Sequence, residues 1–163
     1  MSQLAYTVYM SPAFIGAHGQ LIQVMPGRNN SGVEIPYGRA VQHDTGAGTT
    51  DLAVKLPAAG ATELLIKGVV LYDQSHEPQT TGVPDDGILS IVRQGTVFMQ
   101  TEQAVTPDDP VYVRFDAAGA TGTSPAVGQV RLDADTAKAV LMPRWRFESS
   151  AAAGAGVWVV INP

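Results

Sequence analysis

Apolar and β-branched residues recur along this chain in short runs with a period of two, and turn-forming residues separate the runs. Val111, Val113 and Phe115 fall on one side of an extended segment, with Tyr112 and Arg114 on the other. That is the alternation of a strand buried on one face. The same reading predicts strands at 4–10, 21–25, 36–42, 51–56, 64–72, 88–93, 97–102, 110–115, 127–132, 138–147 and 157–162. Between them, 26–32, 44–50, 57–60, 74–86 and 117–125 are rich in Gly, Pro, Asn, Asp, Ser and Thr. These residues supply positive φ, fixed φ or side-chain bonds to the backbone. Many short strands at this spacing predict an all-β fold, either a barrel or a jelly-roll-like β-sandwich.

Helical signals are few. Residues 133–138 suit one turn, with early acids at the positive end of its dipole. Residues 149–156 are Ala-rich, but their glycines predict a flexible hairpin connection. The longest segment without a strand pattern is 75–86, and such loops are usually functional or mobile. There is no internal repeat and no shift of composition, so one domain is expected: residues 1–32 as an N-terminal arm with the first strands, and 33–163 as the body. Tyr6-Thr-Val-Tyr9 has strand character, and Pro12, Phe14 and Ile15 follow it. Two readings fit, a first strand of the core or an extended arm that adds to a neighbouring subunit's sheet.

Composition narrows the function classes. With 163 residues the chain is long enough to bury roughly two thirds of its unfolded surface. It has no cysteine, which removes disulfides, thiolate metal sites and thiol catalysis. The net charge is −5 and charged residues make up 15% of the chain, against ~25% in ordinary domains. An acidic, charge-poor surface is repelled by phosphate backbones, so nucleic acid is not an expected partner. Low charge also suits a surface covered by other protein, and equally a compositional bias toward Gly and Ala. No run approaches the ~18 apolar residues of a spanning helix, so no membrane partner is expected. Met1-Ser-Gln-Leu-Ala-Tyr6 lacks the basic start and apolar core of a secretory signal, which points to synthesis in a cytoplasm.

No residue pattern points to catalysis. His18, His43 and His76 are isolated, without the paired spacing of a metal site, and are read as turn histidines. Asp85-Asp86 and Asp108-Asp109 adjoin Pro or Gly, where Asp commonly stabilises turns rather than holding Ca²⁺. Gly46-Ala-Gly-Thr-Thr50 lacks the Lys of a phosphate-binding loop. In Arg144-Trp-Arg146, alternation places Trp145 and Phe147 on one side and the arginines on the other. No Gly-x-Ser-x-Gly elbow occurs. The chain is expected to be no enzyme and to use no cofactor.

The order of several short motifs carries a resemblance. Ile35-Pro-Tyr-Gly-Arg-Ala-Val41 precedes an apolar strand at 51–56. Gly68-Val-Val-Leu-Tyr-Asp73, Gly87-Ile-Leu-Ser-Ile-Val-Arg-Gln-Gly95 and Val105-Thr-Pro-Asp-Asp-Pro-Val-Tyr-Val113 follow. The chain closes on Phe147–Asn162, with Val-Trp-Val-Val-Ile-Asn at its end. Over residues 33–162 this resembles the capsid cement, or head decoration, proteins of tailed bacteriophages. It departs from the pattern in the length of 75–86 and in Val160, where an acid is usual. The resemblance implies a virion protein on the outer capsid surface that stabilises contacts between major capsid protein subunits. It also implies a homo-oligomer, a trimer in preference to a dimer. Tyr6, Val8, Tyr9, Phe14, Ile15, Met25 and Tyr37 are the expected interface anchors, since aromatic and Met side chains dominate interface energetics. The alternative is a carbohydrate-binding β-sandwich, a receptor-binding or adhesion module, with Trp145 or Trp158 as its platform; alternation places both in the core.

Overall fold

The computed structural model describes residues 14–46, 52–72 and 81–162. They form strands and turns, with no helix among the described residues. The strands are β1 (His18–Asn29), β2 (Ile35–Pro36), β3 (Ala40–His43), β4 (Ala53–Lys55), β5 (Ile66–Val70), β6 (Gly82–Val83), β7 (Ile88–Gln100), β8 (Pro110–Arg114), β9 (Val130–Arg131), β10 (Ala139–Phe147) and β11 (Gly156–Ile161).

Hydrogen bonding runs in the order β1-β4-β3-β5-β7, and β7 then pairs with β1, so these strands close into a barrel. Among the described strand pairs, β1–β4 alone is parallel. Four further strands extend the sheet from β7 in the order β11-β10-β8-β9. They also curl back: β9 meets the end of the β7 path through a bridge between Val130 and Thr101. Strand β7 therefore belongs to both rings. Along one edge it pairs with β1, from His18↔Val97 to Arg28↔Ile88. Its other edge takes β5 at Ile91 and Val92, then β11 from Gly95 to Gln100.

Alternating side chains on the shared wall feed two cores. Val41, Val70 and Ile91 point into the first barrel, with Ile35, Tyr37, Val54, Val83 and Leu89. Ala40, Val69 and Val92 point the other way and pack with Val97, Met99, Val111, Val113, Trp145, Phe147 and Val159. A strand buried on both faces reads as a continuous apolar run, as Ile88–Met99 largely does.

The barrel answers the fold expectation in its first form, and several local expectations change. Pro26–Asn29, read as a turn, continues β1: Pro26 sits opposite Ser90 and Gly27 opposite Leu89. Cross-strand pairing there overrides the turn preference of Pro-Gly. The two strands expected at 88–93 and 97–102 are one, because Gly95 is paired on both sides of β7. The expected 36–42 strand is broken by a turn at Tyr37 and Gly38, where Gly38 has φ +69°. Strand β6, inside the expected loop, pairs with β2.

The turn at 133–138 is not a right-handed helical turn. Asp135, Thr136 and Ala137 all lie in the left-handed region, with φ of 42°, 56° and 62°. The connection at 149–156, read as flexible, is pinned: Ala151 pairs with Val105, and Gly154 N donates to Thr101 O at 2.9 Å. Arg114, expected on a solvated face, is fully buried. The expected strand 4–10 lies outside the described residues.

Gly68 gives a direct test of the shared wall. Its φ is +145°, and a Cβ there would lie 1.9 Å from the Val92 carbonyl oxygen. Gly68→Ala combines backbone strain with a clash against β7 and should cost roughly 3 kcal/mol or more. Urea unfolding of the two proteins measures it, and a change within ~0.5 kcal/mol would show that the wall yields.

Candidate interaction surface

The chain enters the first barrel at Phe14, and local bonds fix that entry. Ala17 N donates to Phe14 O at 2.8 Å, and Gly16 N donates to Phe98 O at 2.8 Å. Tyr72 N in turn donates to Gly16 O at 3.0 Å. Three rings then lead from the barrel interior to solvent. Tyr37 meets Tyr72 edge-on with centroids 5.0 Å apart, and Tyr72 meets Phe14 at 4.5 Å. Edge-to-face rings at these separations attract through their quadrupoles. Tyr37 is buried and belongs to the core, while Phe14 is 55% exposed. Ile15 is half-buried, with its Cγ2 against Gly38. Met25 is half-buried and packs on the barrel core. Tyr6, Val8 and Tyr9 lie outside the described residues.

Three further exposed apolar side chains stand at strand ends. Ile88 is 70% exposed at the start of β7, directly across from Arg28, which forms an ion pair with Asp86. Leu52 is exposed beside β1, its carbonyl accepting from Arg28 N at 2.8 Å. Leu64, before β5, is 90% exposed. Sequence patterning did not single these out, because an exposed apolar residue at a strand end has the same local sequence as a buried one.

The second ring holds a buried charge cluster that sequence reasoning missed. Arg114 on β8 and Arg131 on β9 have fully buried side chains, as has Glu102 just after β7. Arg114 grips Glu102 in a fork, with Nε donating to Oε1 and Nη2 to Oε2, the latter at 2.6 Å. Arg131 Nη1 donates to Glu102 Oε2 at 2.9 Å. Both arginines also reach Asp135 Oδ2, at 2.7 Å and 2.9 Å. Thr121 completes the shell: its Oγ1 donates to Asp135 Oδ1 at 2.6 Å, and its carbonyl accepts from Arg131 at 3.1 Å. Burial pushes the Glu102 carboxyl up, against the pull of the Arg114 guanidinium. Bonds from Thr121 and Arg114 hold Asp135 low.

This cluster also explains the left-handed turn. Left-handed backbone costs L-residues roughly 1–2 kcal/mol each. The Asp135 carboxylate, held by two guanidinia and Thr121, offsets that cost. Near the first barrel, Asp44 is similarly fixed by Lys55 Nζ at 2.8 Å and Asn30 Nδ2 at 2.5 Å. These bonds lower its carboxyl to about 2.

The remaining sequence candidates stay apart. His18 is exposed and His43 half-buried on β3, while His76 lies outside the described residues. Among the described residues no three His, Asp or Glu side chains converge as metal ligands. Trp145 is buried, but Trp158 is half-buried on the outer face, edge-on to Phe98 at 5.1 Å.

The described residues thus form an all-β protein with a closed barrel, an exposed apolar margin and a buried charge cluster. Comparison with known proteins gives the family. Residues 2–162 match the family model described as "Structural cement protein (E217 gp24/Pam3 gp6)". This chain belongs to the structural cement protein family of phages. No curated protein sequence matches it. A chain in the solved structure "The capsid of Myoviridae Phage XM1" shares the fold, with a TM-score of 0.64 and 19% identity. That match covers 90% of this chain and 89% of the other. The role is therefore structural stabilisation of a phage capsid, and the location is the virion capsid. The carbohydrate-binding alternative is not favoured.

Two measurements test the charge clusters. Removing one partner of a buried pair leaves the others uncompensated, so Glu102→Ala should cost about 3–5 kcal/mol in urea unfolding. A cost below ~1 kcal/mol would mean that water reaches both arginines. The Asp44 carboxyl is depressed in the fold, so its contribution is complete above about pH 4 and fades as pH falls toward about 2. Asp44→Asn should be less stable than the parent at pH 7, and the difference should shrink between pH 4 and pH 2. Parallel curves over that range would exclude Asp44 as a source of acid sensitivity.

Proposed function

We propose that this protein binds the outer surface of an icosahedral phage head and joins neighbouring major capsid protein subunits. It acts as a homo-oligomer, a trimer in preference to a dimer, and its function is adhesion rather than turnover. Membership of the structural cement family across residues 2–162 is the observation that carries this reading.

Physical chemistry supports it. An oligomer seated where capsid subunits meet contacts several of them, and linked contacts multiply affinity without new chemistry. A specific interface buries about 1,200–2,000 Å² in total, much of it around a few apolar or aromatic anchors. Phe14, Ile88 and Leu64 are exposed apolar side chains suited to that use. Phe14 stands at the root of the segment that carries Tyr6, Val8 and Tyr9. The proposal assigns that segment to a neighbouring subunit, with Ile15 and Met25 supporting its root. Tyr37 acts there through Tyr72, from inside the barrel.

Purified protein mixed with expanded, undecorated heads should bind stoichiometrically and raise their resistance to heat or chelator. A chain starting at residue 14 should keep the parent's unfolding midpoint and bind heads at least about tenfold more weakly. Absence of binding by the full chain would remove the proposal, and equal binding by the shortened chain would remove the arm from it.

A further inference from the structure

Basic side chains are scarce in this chain, ten against fifteen acids, and the fold uses most of them internally. Among the described residues, Arg28, Lys55, Arg114 and Arg131 hold carboxylates. Arg39 and Lys138 donate to the carbonyls of Ala126 and Ala118. Arg93, Arg144 and Arg146 are exposed, and none has an acid within ion-pair distance among the described residues. Strand pairing puts two of them on one face. Trp145 lies across from Ile161 and Ile161 across from Gly95, so Arg144 and Arg146 on β10 share a face with Gln94 on β7 and Asn162 after β11.

A cleft of about 170 Å³ opens there, lined by Gln23, Arg93, Gln94, Arg144 and Asn162. Its lining is polar throughout. Asn162 is held in place by its own bond, Nδ2 donating to Arg93 O at 2.8 Å. Sites for small organic ligands run from about 300 to 1,000 Å³, so the space admits a group of side-chain size. Two guanidinia with flanking carboxamides match a carboxylate, which arginine holds through paired charge-assisted bonds.

We propose that this cleft is a socket for an acidic side chain of a second copy of the protein. Charge complementarity selects the occupant. Each copy carries a net charge of −5, so two copies repel unless a basic patch on one meets an acid on the other. Asp108 is exposed at the corner between β7 and β8 and has no hydrogen bond among the described residues. A contact between the socket and Asp108 of another copy can be made twice across a twofold axis or once per step around a head-to-tail ring, and the trimer reading selects the ring. This step rests on the trimer reading above and names the contact that would build it.

Mass measurement in solution over a range of salt tests the proposal. The parent should be oligomeric and dissociate as salt rises. Arg93→Glu/Arg144→Glu and Asp108→Lys should each weaken association at least tenfold, and combining them should restore it. All the substituted side chains are exposed, so unfolding midpoints should match the parent's; Arg93→Gln/Arg144→Gln provides a milder second variant. A monomeric parent, an oligomer indifferent to these changes, or combined substitutions without rescue would overturn the socket. Variants that stay oligomeric but lose head binding would also overturn it, assigning the cleft to an acid of the shell. A parent that forms the salt-sensitive oligomer but binds no heads would sustain the socket and remove the capsid-binding proposal instead.

Discussion

Strand β7 is hydrogen-bonded along both edges, and every other strand of the large sheet is placed by reference to it. Its first half closes the barrel between β1 and β5, and its second half carries β11 and through it the rest of the second ring. The side chains follow the same logic: Ile91 enters one core while Val92 enters the other. Neither half has a boundary at which it separates cleanly from its neighbour. Two apolar centres share one wall, and a defect in that wall is felt in both.

The second ring adds a constraint of another kind. Its open end is stoppered by Arg114, Glu102, Arg131 and Asp135 under the 117–125 loop, with Gly122 packed close to Glu102. Burying several charges has a large desolvation cost, repaid only when geometry is good and the remaining donors and acceptors are filled. Here the Arg114 fork, the Thr121 contacts and Asp133 on Arg131 fill most of them. The cluster fixes where β8 and β9 end and holds a turn that its own residues disfavour. It takes Glu102, Arg114, Arg131 and Asp135 off the solvated surface.

Much of the fold was legible in the chain because alternation is a local signal. Trp145 and Phe147 inward with Arg144 and Arg146 outward is what β10 shows. What failed was any inference that required knowing a distant cover. Tyr112 and Arg114 share the parity of a solvated face, and nothing in their neighbourhood announces that loop 117–125 folds over Arg114. Pro26-Gly27 has strong turn chemistry, yet pairing with Ser90 and Leu89 holds it extended. Asp133–Lys138 shows the acids of a helix start, but three-dimensional partners of Asp135 reverse the sense of the turn. For the surface, Phe14 was legible as an apolar residue outside the regular pattern. Tyr37 has similar local credentials and sits inside the barrel, since Gly38 turns the chain inward there.

The charge cluster beneath that loop has a thermal consequence. Ions lose hydration free energy on warming, so the penalty for keeping them dry shrinks while stabilisation from apolar burial levels off. The Arg114–Glu102–Arg131–Asp135 arrangement thus carries a growing share of the fold's cohesion as temperature climbs. In a coat component built this way, warming lowers the cost of the dry charges while the valine cores add nothing further.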